Sequence, residues 1–531
     1  MKLVSKALVS IVALLMTASC TKLDENELLY DTVTSDKFFK TDKEFLSAMG
    51  AAYTNLYGFK GALSNVNEVT SDEVVVPTRG ADWGDGGHWI RLKLHTYKPA
   101  DSQINGSWNM LYAGVNTCNR LIATFQPVGT AQSEAYISEL KVLRAIYYYW
   151  LLDNFGNVPL SIDFKDVVPP ANSTRKQVYD FIEKEITANV GKLQKTGPKD
   201  QSTYGRVNYF TGYAALAKLY LNAEIYTGTP QWDKAIAACD EIINSGKYAL
   251  TVNYKDNFVK ENTGASEFIW AIPFDQVHAK GFNLNHQTLH LESQKTYNMT
   301  AQPWNGFASV SEFYNSYIDP TQNPGPQGTV VGLDTKGTPT TGTVDKRLSN
   351  FLVGPQFAAD GSRLIDGGAD ATDPDGKPIT FTPFMNELLP AAWRQSGARI
   401  GKYEFYNGMT SDLSNDVAIF RYADFILTKA EAIARKNNNW SDPITLALVN
   451  QIRTQHGGVD AFLTLDDTRF LAERGREMFY EVLRRQDLIR FGKYNQAFQW
   501  HPADADNHVN ILPIPEAQIN ANQKLKQNPG Y

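Results

Sequence analysis

Apolar residues recur along this chain mostly at three- and four-residue intervals, and the segments carrying that period come in pairs. Residues 41–57 open with Thr41 and Glu44 spaced as a capping box and place Phe45, Met49, Tyr53 and Leu56 on one face. Residues 101–125 and 134–155 predict a second pair, the latter with Leu140, Leu143, Tyr147, Trp150 and Leu151 as its stripe. Thr174 and Gln177 cap a helix running to about Leu193. Residues 207–226 and 232–245 predict two helices around a turn marked by Gly228 and Pro230, and 421–436, 443–456 and 468–491 predict three more. Small and aromatic positions within 214–220 and 232–237 have the spacing of a tetratricopeptide unit, although the loop between them is longer than that repeat allows.

The expected fold is therefore mainly α: irregular tetratricopeptide-like helix pairs forming a scaffold, with a loop-rich, partly β region attached. The pattern divides into a helical part at 41–245, a mixed part at 246–400 and a second helical part at 401–531. Within the mixed part, 267–272 predicts a strand, and 319–345 and 354–383 are rich in Gly, Pro, Thr and Asp. Loops of that length in a compact protein commonly bind something or are mobile.

The first 40 residues differ in kind. Lys2 and Lys6 precede an apolar run from Ala7 to Met16, and Thr17-Ala18-Ser19 sets small residues before Cys20. The run is too short to span a bilayer, which takes about 20 residues. Residues 1–19 are expected to be a lipoprotein signal, with Cys20 as the lipidated residue of a tether covering 20–40. The chain has a net charge of −6 and no long basic block, which argues against nucleic acid as a partner. Cys118 and Cys239 are far apart with no CxxC spacing, so neither zinc nor a redox pair is indicated, and the question of a disulfide stays open. Aromatic residues are abundant, with 26 Tyr, 27 Phe and 10 Trp, and Tyr and Trp offer flat apolar faces with a polar handle.

Several sequence blocks resemble the RagB/SusD family of Bacteroidetes outer-membrane glycan-binding lipoproteins. They are Leu143-Arg144-Ala145-Ile146-Tyr147-Tyr148-Tyr149 with Asn154-Phe155-Gly156-Asn157-Val158-Pro159-Leu160, and Arg421-Tyr422-Ala423-Asp424-Phe425-Ile426-Leu427 running into Ala430-Glu431-Ala432. Glu473-Arg474-Gly475-Arg476-Glu477 follows, with Arg485 and Asp487-Leu488-Ile489-Arg490-Phe491-Gly492. The last are Leu512-Pro513-Ile514-Pro515 and Gln527-Asn528-Pro529-Gly530-Tyr531. The acidic stretch Leu23-Asp24-Glu25-Asn26-Glu27 is similar to the export tag of surface lipoproteins in the same phylum. The resemblance implies a tetratricopeptide-containing scaffold with a loop-built glycan face, docked as a lid on a SusC-like TonB-dependent transporter. The blocks themselves read as structural: helical spacing sets Glu481 opposite Arg484 and Arg485, and Arg474 opposite Glu477, as ion pairs.

Binding chemistry is best represented between Asp72 and Trp89. Asp72, Arg79, Asp82, Trp83 and Trp89 accompany four glycines in eight residues, a density that predicts a loop. Indole faces suit the C–H faces of pyranose rings, and Asp and Arg satisfy hydroxyls. Tyr97, Tyr297 and Trp304 match ligand-facing segments of SusD-like proteins and are carried as candidates on that resemblance. Enzymatic readings are weaker. Asp82 and Asp85 lie on a loop with no evident means of raising one carboxyl by burial, although a surface glycoside hydrolase remains an alternative. His286 and His290 have zinc-like spacing, but Gln287 stands where a metalloprotease needs Glu. Asp366, Asp370, Asp373 and Asp375 fit no complete calcium loop. No metal, no cofactor and no catalytic residue is expected. A protein-interaction scaffold or a peptide-binding importer component is the other alternative.

Overall fold

A computed structural model describes residues 35–531 apart from 81, 167, 334–338 and 369–377. Cys20 lies outside these residues, as do Asp370, Asp373 and Asp375.

The helices follow the apolar period closely: α1 (Asp42–Thr54), α2 (Ser64–Val69), α3 (His88–Lys93), α4 (Ser102–Phe125), α5 (Ala131–Phe155), α6 (Arg175–Asn189), α7 (Tyr209–Leu221) and α8 (Trp232–Ile243). After the mixed region come α9 (Tyr422–Lys436), α10 (Pro443–Ile452), α11 (Asp467–Met478) and α12 (Arg484–Arg490). The predicted capping boxes form at Thr41 with Glu44 and at Thr174 with Gln177. Asn208 caps α7 by accepting from Thr211 N at 3.0 Å.

Successive helices pack in series from α4 to α10, each against the next. Helix α5 is buried almost continuously from Tyr136 to Phe155 rather than along one stripe, because α1, α4, α6 and α7 all lie against it. The α4–α5 pair approaches closely at Gly114, where a Cβ would stand 2.3 Å from Tyr147 Cζ. Ala214, Ala215 and Ala217 on α7, with Ala235 and Ala238 on α8, leave little volume between those two helices. Helix α8 packs directly on α9, so the helical series continues across the whole mixed region.

The mixed region contributes short antiparallel pairings. Phe268–Ile272, the predicted strand, pairs with Val417–Arg421, and Ala308–Ser309 pairs with Val74–Val75. The latter brings the 72–89 segment against residues 300–310. At the other end, the terminal blocks clamp α5: Leu512 N donates to Asn154 O at 2.7 Å, and Asn528 Nδ2 donates to Phe155 O at 2.9 Å and Leu512 O at 2.8 Å.

The predicted helix over 468–491 is two helices. Between α11 and α12, Tyr480 and Val482 adopt left-handed backbone, with φ of 59° and 65°. Charged side chains from distant segments satisfy the backbone groups exposed by this break. Tyr480 N donates to Glu73 Oε2 at 3.2 Å and Val482 N to Glu68 Oε1 at 2.6 Å. Lys60 Nζ donates to Tyr480 O at 3.0 Å and Lys402 Nζ to Phe479 O at 2.6 Å.

The ion pairs change accordingly. Glu481 meets Arg421 and Lys402 at 2.7 Å each, not Arg484 or Arg485. Glu477 meets Arg421 at 2.8 Å and His456 at 2.9 Å, while Arg474 bridges Asp424 at 2.6 Å and Asp487 at 2.7 Å. Arg347, Arg421, Arg453, Arg474, Arg476 and Arg485 are all fully buried. Such pairs add little net stability over an apolar core, but losing one partner strands a charge.

Candidate functional site

Three glycines of the 72–89 segment are left-handed, Gly80 at φ 63°, Gly86 at φ 61° and Gly87 at φ 78°. The segment is more structured than a loop. Arg79 and Asp82 exchange main-chain hydrogen bonds of 3.0 and 3.1 Å, and Asp85–Gly87 forms a single 3₁₀ turn leading into α3.

That structure takes four of the candidate residues into the fold. Trp89 lies on α3, is 4% exposed and donates through Nε1 to Asp85 Oδ2 at 2.8 Å. Tyr97 is 3% exposed, stacks on Tyr531 and donates its hydroxyl to Val509 O. Arg79 is buried and donates to Ser396 O at 2.8 Å, Ser396 Oγ at 3.1 Å and Trp393 O. Asp72 pairs with Arg484 at 2.7 Å, which fixes α12 against the strand at Val74–Val75. These four hold the scaffold; their side chains do not form an open face.

Trp83, Trp304 and Asp82 come together instead. With Asp85, Leu291, Gln302 and Pro303 they line an open depression of about 410 Å³. Trp83 Nε1 donates to Trp304 O at 2.5 Å across 221 residues of sequence. Trp304 is 43% exposed, its ring meets His286 edge-on at 5.1 Å and its amide donates to His286 O at 2.7 Å. Trp83 is half-buried. It crosses Phe307 at 5.6 Å and Trp89 at 5.7 Å, and a Cβ on Gly306 would lie 2.2 Å from its Cε2. Glycine at 306 is what makes the slot for this indole. Trp83 is thus both wall and anchor, and Trp304 is the freer aromatic surface. Tyr297 is half-buried against Phe405 and lies outside the lining.

The sequence reading missed Leu291, Gln302, Pro303 and Gly306. Only the neighbouring Pro303-Trp304-Asn305-Gly306 turn composition could have pointed to them. Chemically, the depression offers an exposed indole, two exposed carboxylates and one side-chain amide. Asp85 already accepts from Trp89, so the two carboxylates are not equivalent.

The other sequence candidates are committed elsewhere. His290 pairs with Asp366 at 3.3 Å, and Asp366 also meets Arg394 at 3.3 Å. His286 is buried beneath Trp304, and burial holds its imidazole below its ordinary pKa. Cys118 and Cys239 are free, buried thiols, the first pushed up to about 12 by burial.

A sequence profile of the SusD family matches residues 266–531. The chain belongs to the SusD family. A further profile, described as starch-binding and associating with the outer membrane, matches residues 87–277. The starch-binding protein SusD of Bacteroides thetaiotaomicron is 24% identical over 503 residues, 89% of this chain and 86% of its own length. Among solved structures, surface glycan-binding protein A of the same species, in complex with laminarihexaose, superposes with a TM-score of 0.70 at 21% identity. The match covers 92% of this chain and all of that one. A laminarin-binding SusD-like protein gives 0.69 at 21% identity over 93% of this chain and all of its own. The helical series around a loop-rich region is thus the fold of this family.

Proposed function

We propose that this protein is a surface lipoprotein that captures oligosaccharide at the Trp83–Trp304 depression and passes it to a SusC-like TonB-dependent transporter. The observation that carries the reading is Trp304, a large indole left exposed beside Trp83 and the Asp82 carboxylate. An exposed indole face covers about 80 Å² of apolar surface, worth roughly 2 kcal/mol when a sugar ring stacks on it. With rim hydrogen bonds and the costs of association, affinities between millimolar and micromolar follow, about 4–8 kcal/mol. That range suits capture followed by release. Relatives named for starch and laminarin binding support glycan as the ligand class.

Membrane attachment through Cys20 and the transporter partnership belong to the same proposal. No helix among the described residues is long and apolar enough to cross a membrane. In this reading acyl chains on Cys20, after the apolar run Ala7 to Met16, supply the attachment. The deciding experiment incubates the purified protein with a polysaccharide panel that includes starch and laminarin. Retention without new reducing ends is the expected result. New reducing ends would make the protein a hydrolase, and neither outcome would leave the scaffold or peptide-importer alternatives. Cys20→Ala is expected to release the protein from the membrane fraction in a strain lacking the transporter. A mild-detergent pull-down of the native protein is expected to recover the transporter.

A further inference from the structure

A second cluster lies away from the depression, where the segment after α3 meets the loop after α12. His95, at φ 51°, and His501 are both buried, their rings 4.0 Å apart and tilted by 44°. His95 Nε2 stands 2.7 Å from the carbonyl oxygen of Thr70. A carbonyl only accepts, so Nε2 carries the proton and donates. In the neutral ring Nδ1 is then a lone pair, yet it faces Asp504 Oδ2 at 2.8 Å. His501 Nε2 approaches that same oxygen at 3.4 Å, and neither ring nitrogen of His501 makes a hydrogen bond. Asn495 Nδ2 donates to Asp504 Oδ2 at 3.2 Å and steadies the carboxylate. The three donor atoms of His95, His501 and Asp504 all lie within 4.8 Å of one another.

A cation among the three atoms satisfies this arrangement directly. We propose that His95, His501 and Asp504 form a binding site for a divalent transition-metal ion of the zinc type. Zinc takes imidazole nitrogen and carboxylate oxygen at about 2.0–2.2 Å in tetrahedral geometry, so its donors sit roughly 3.3–3.5 Å apart. The 3.4 Å separation matches that spacing, the 2.8 Å separation is about half an ångström shorter, and the remaining pair lies within 4.8 Å. Ligand chemistry also selects the metal, because two imidazoles with one carboxylate suit zinc better than calcium or magnesium, which prefer oxygen. The Thr70 carbonyl supplies the outer partner that fixes the tautomer of a metal-bound histidine. Water completes the fourth position. The ion fastens a segment near the start of the fold to one near its end, His95 and Asp504 being 409 residues apart. Its role is structural and independent of the glycan depression.

The test uses the untagged full chain, stripped with chelator and titrated with Zn²⁺. One equivalent is expected to bind, and at free zinc a hundredfold above Kd the melting temperature is expected to rise by about 2–3 °C for a chain of this size. Co²⁺ in its place is expected to give the intense visible bands of tetrahedral coordination. His501→Ala and Asp504→Asn are expected to abolish uptake, whereas His508→Ala, at a half-buried histidine outside the cluster, is expected to retain it. Should His501→Ala fail to fold, His501→Gln serves the same purpose with a polar side chain. Absence of stoichiometric metal in the wild type, which would leave an imidazolium–carboxylate pair, overturns the proposal. So does uptake undiminished in a folded His501 variant.

Discussion

The indole nitrogen of Trp83 donates to the main-chain carbonyl of Trp304 at 2.5 Å, so one tryptophan positions the backbone that presents the other. The glycine-rich 72–89 segment and the 302–306 turn therefore form one surface. Their roles within it differ, because Trp83 has one side against Phe307 and Gly306 while much of Trp304 faces solvent.

Trp304→Ala is expected to separate binding from folding. Removing its stacking face lowers glycan affinity about thirtyfold, equivalent to roughly 2 kcal/mol. The melting temperature should hardly move, since an exposed side chain contributes little to the core. Calorimetric titration with the glycan retained in the panel, beside a thermal melt, reads both quantities. Unchanged affinity in the folded variant would remove Trp304 from the site.

Trp83→Ala is expected to lower both. Its half-buried ring packs on Phe307 and Trp89, so about 2 kcal/mol of stability goes with it, and the Trp304 backbone loses its donor. Gly306→Ala reproduces the effect without touching either tryptophan, because the added methyl occupies the Trp83 slot. Matching losses of melting temperature and affinity in the two variants are the expected signature.

Trp89→Ala tests the opposite assignment. This ring is core, and its loss is expected to cost about 3–5 kcal/mol of stability. Titrations corrected for the folded fraction should show affinity reduced far less than in Trp304→Ala.

The buried ion network predicts an acid limit. Burial by itself raises carboxyl pKa values, but His456 and Arg421 hold Glu477 well below the usual range, and Arg474 and Arg490 do the same for Asp487. A folded-state pKa below the unfolded value contributes stability that is present above about pH 4 and lost as pH falls through the folded value. Melting temperature should therefore be nearly flat with respect to these groups from pH 5 to 8 and decline below about pH 4. Arg421→Met removes the guanidinium that Glu267, Glu477 and Glu481 share and is expected to cost about 3–5 kcal/mol at neutral pH.

Local rules explain what was legible in the sequence. The 3.6-residue period and the Thr41 and Thr174 caps depend on residues within a turn or two of each other, and the structure carries them. The family blocks were legible for a related reason. Leu512 bonds to the main chain of Asn154, and the Asn528 amide donates to Phe155 O and Leu512 O, a side-chain contact that ties one residue type to one place.

Tertiary structure decided the rest. Residues 468–491 have good helical period, yet Glu68, Glu73, Lys60 and Lys402 supply the break at Tyr480 with partners that local sequence does not contain. The same reach re-paired Glu481 and Arg474 with distant charges. Local composition marked Trp83 and Trp89, and the family resemblance marked Tyr97, Tyr297 and Trp304, as aromatic residues suited to sugar, but neither carries information on which ring lies inward. Trp89 is drawn into the core by α3, and Tyr97 by the terminal segment around Val509 and Tyr531. Trp304 stays outside because the His286 carbonyl and the Trp83 indole hold its backbone while its ring projects past them. Whether an aromatic side chain stabilises a core or meets a ligand depends on what packs over it, and those neighbours are hundreds of residues away in the chain.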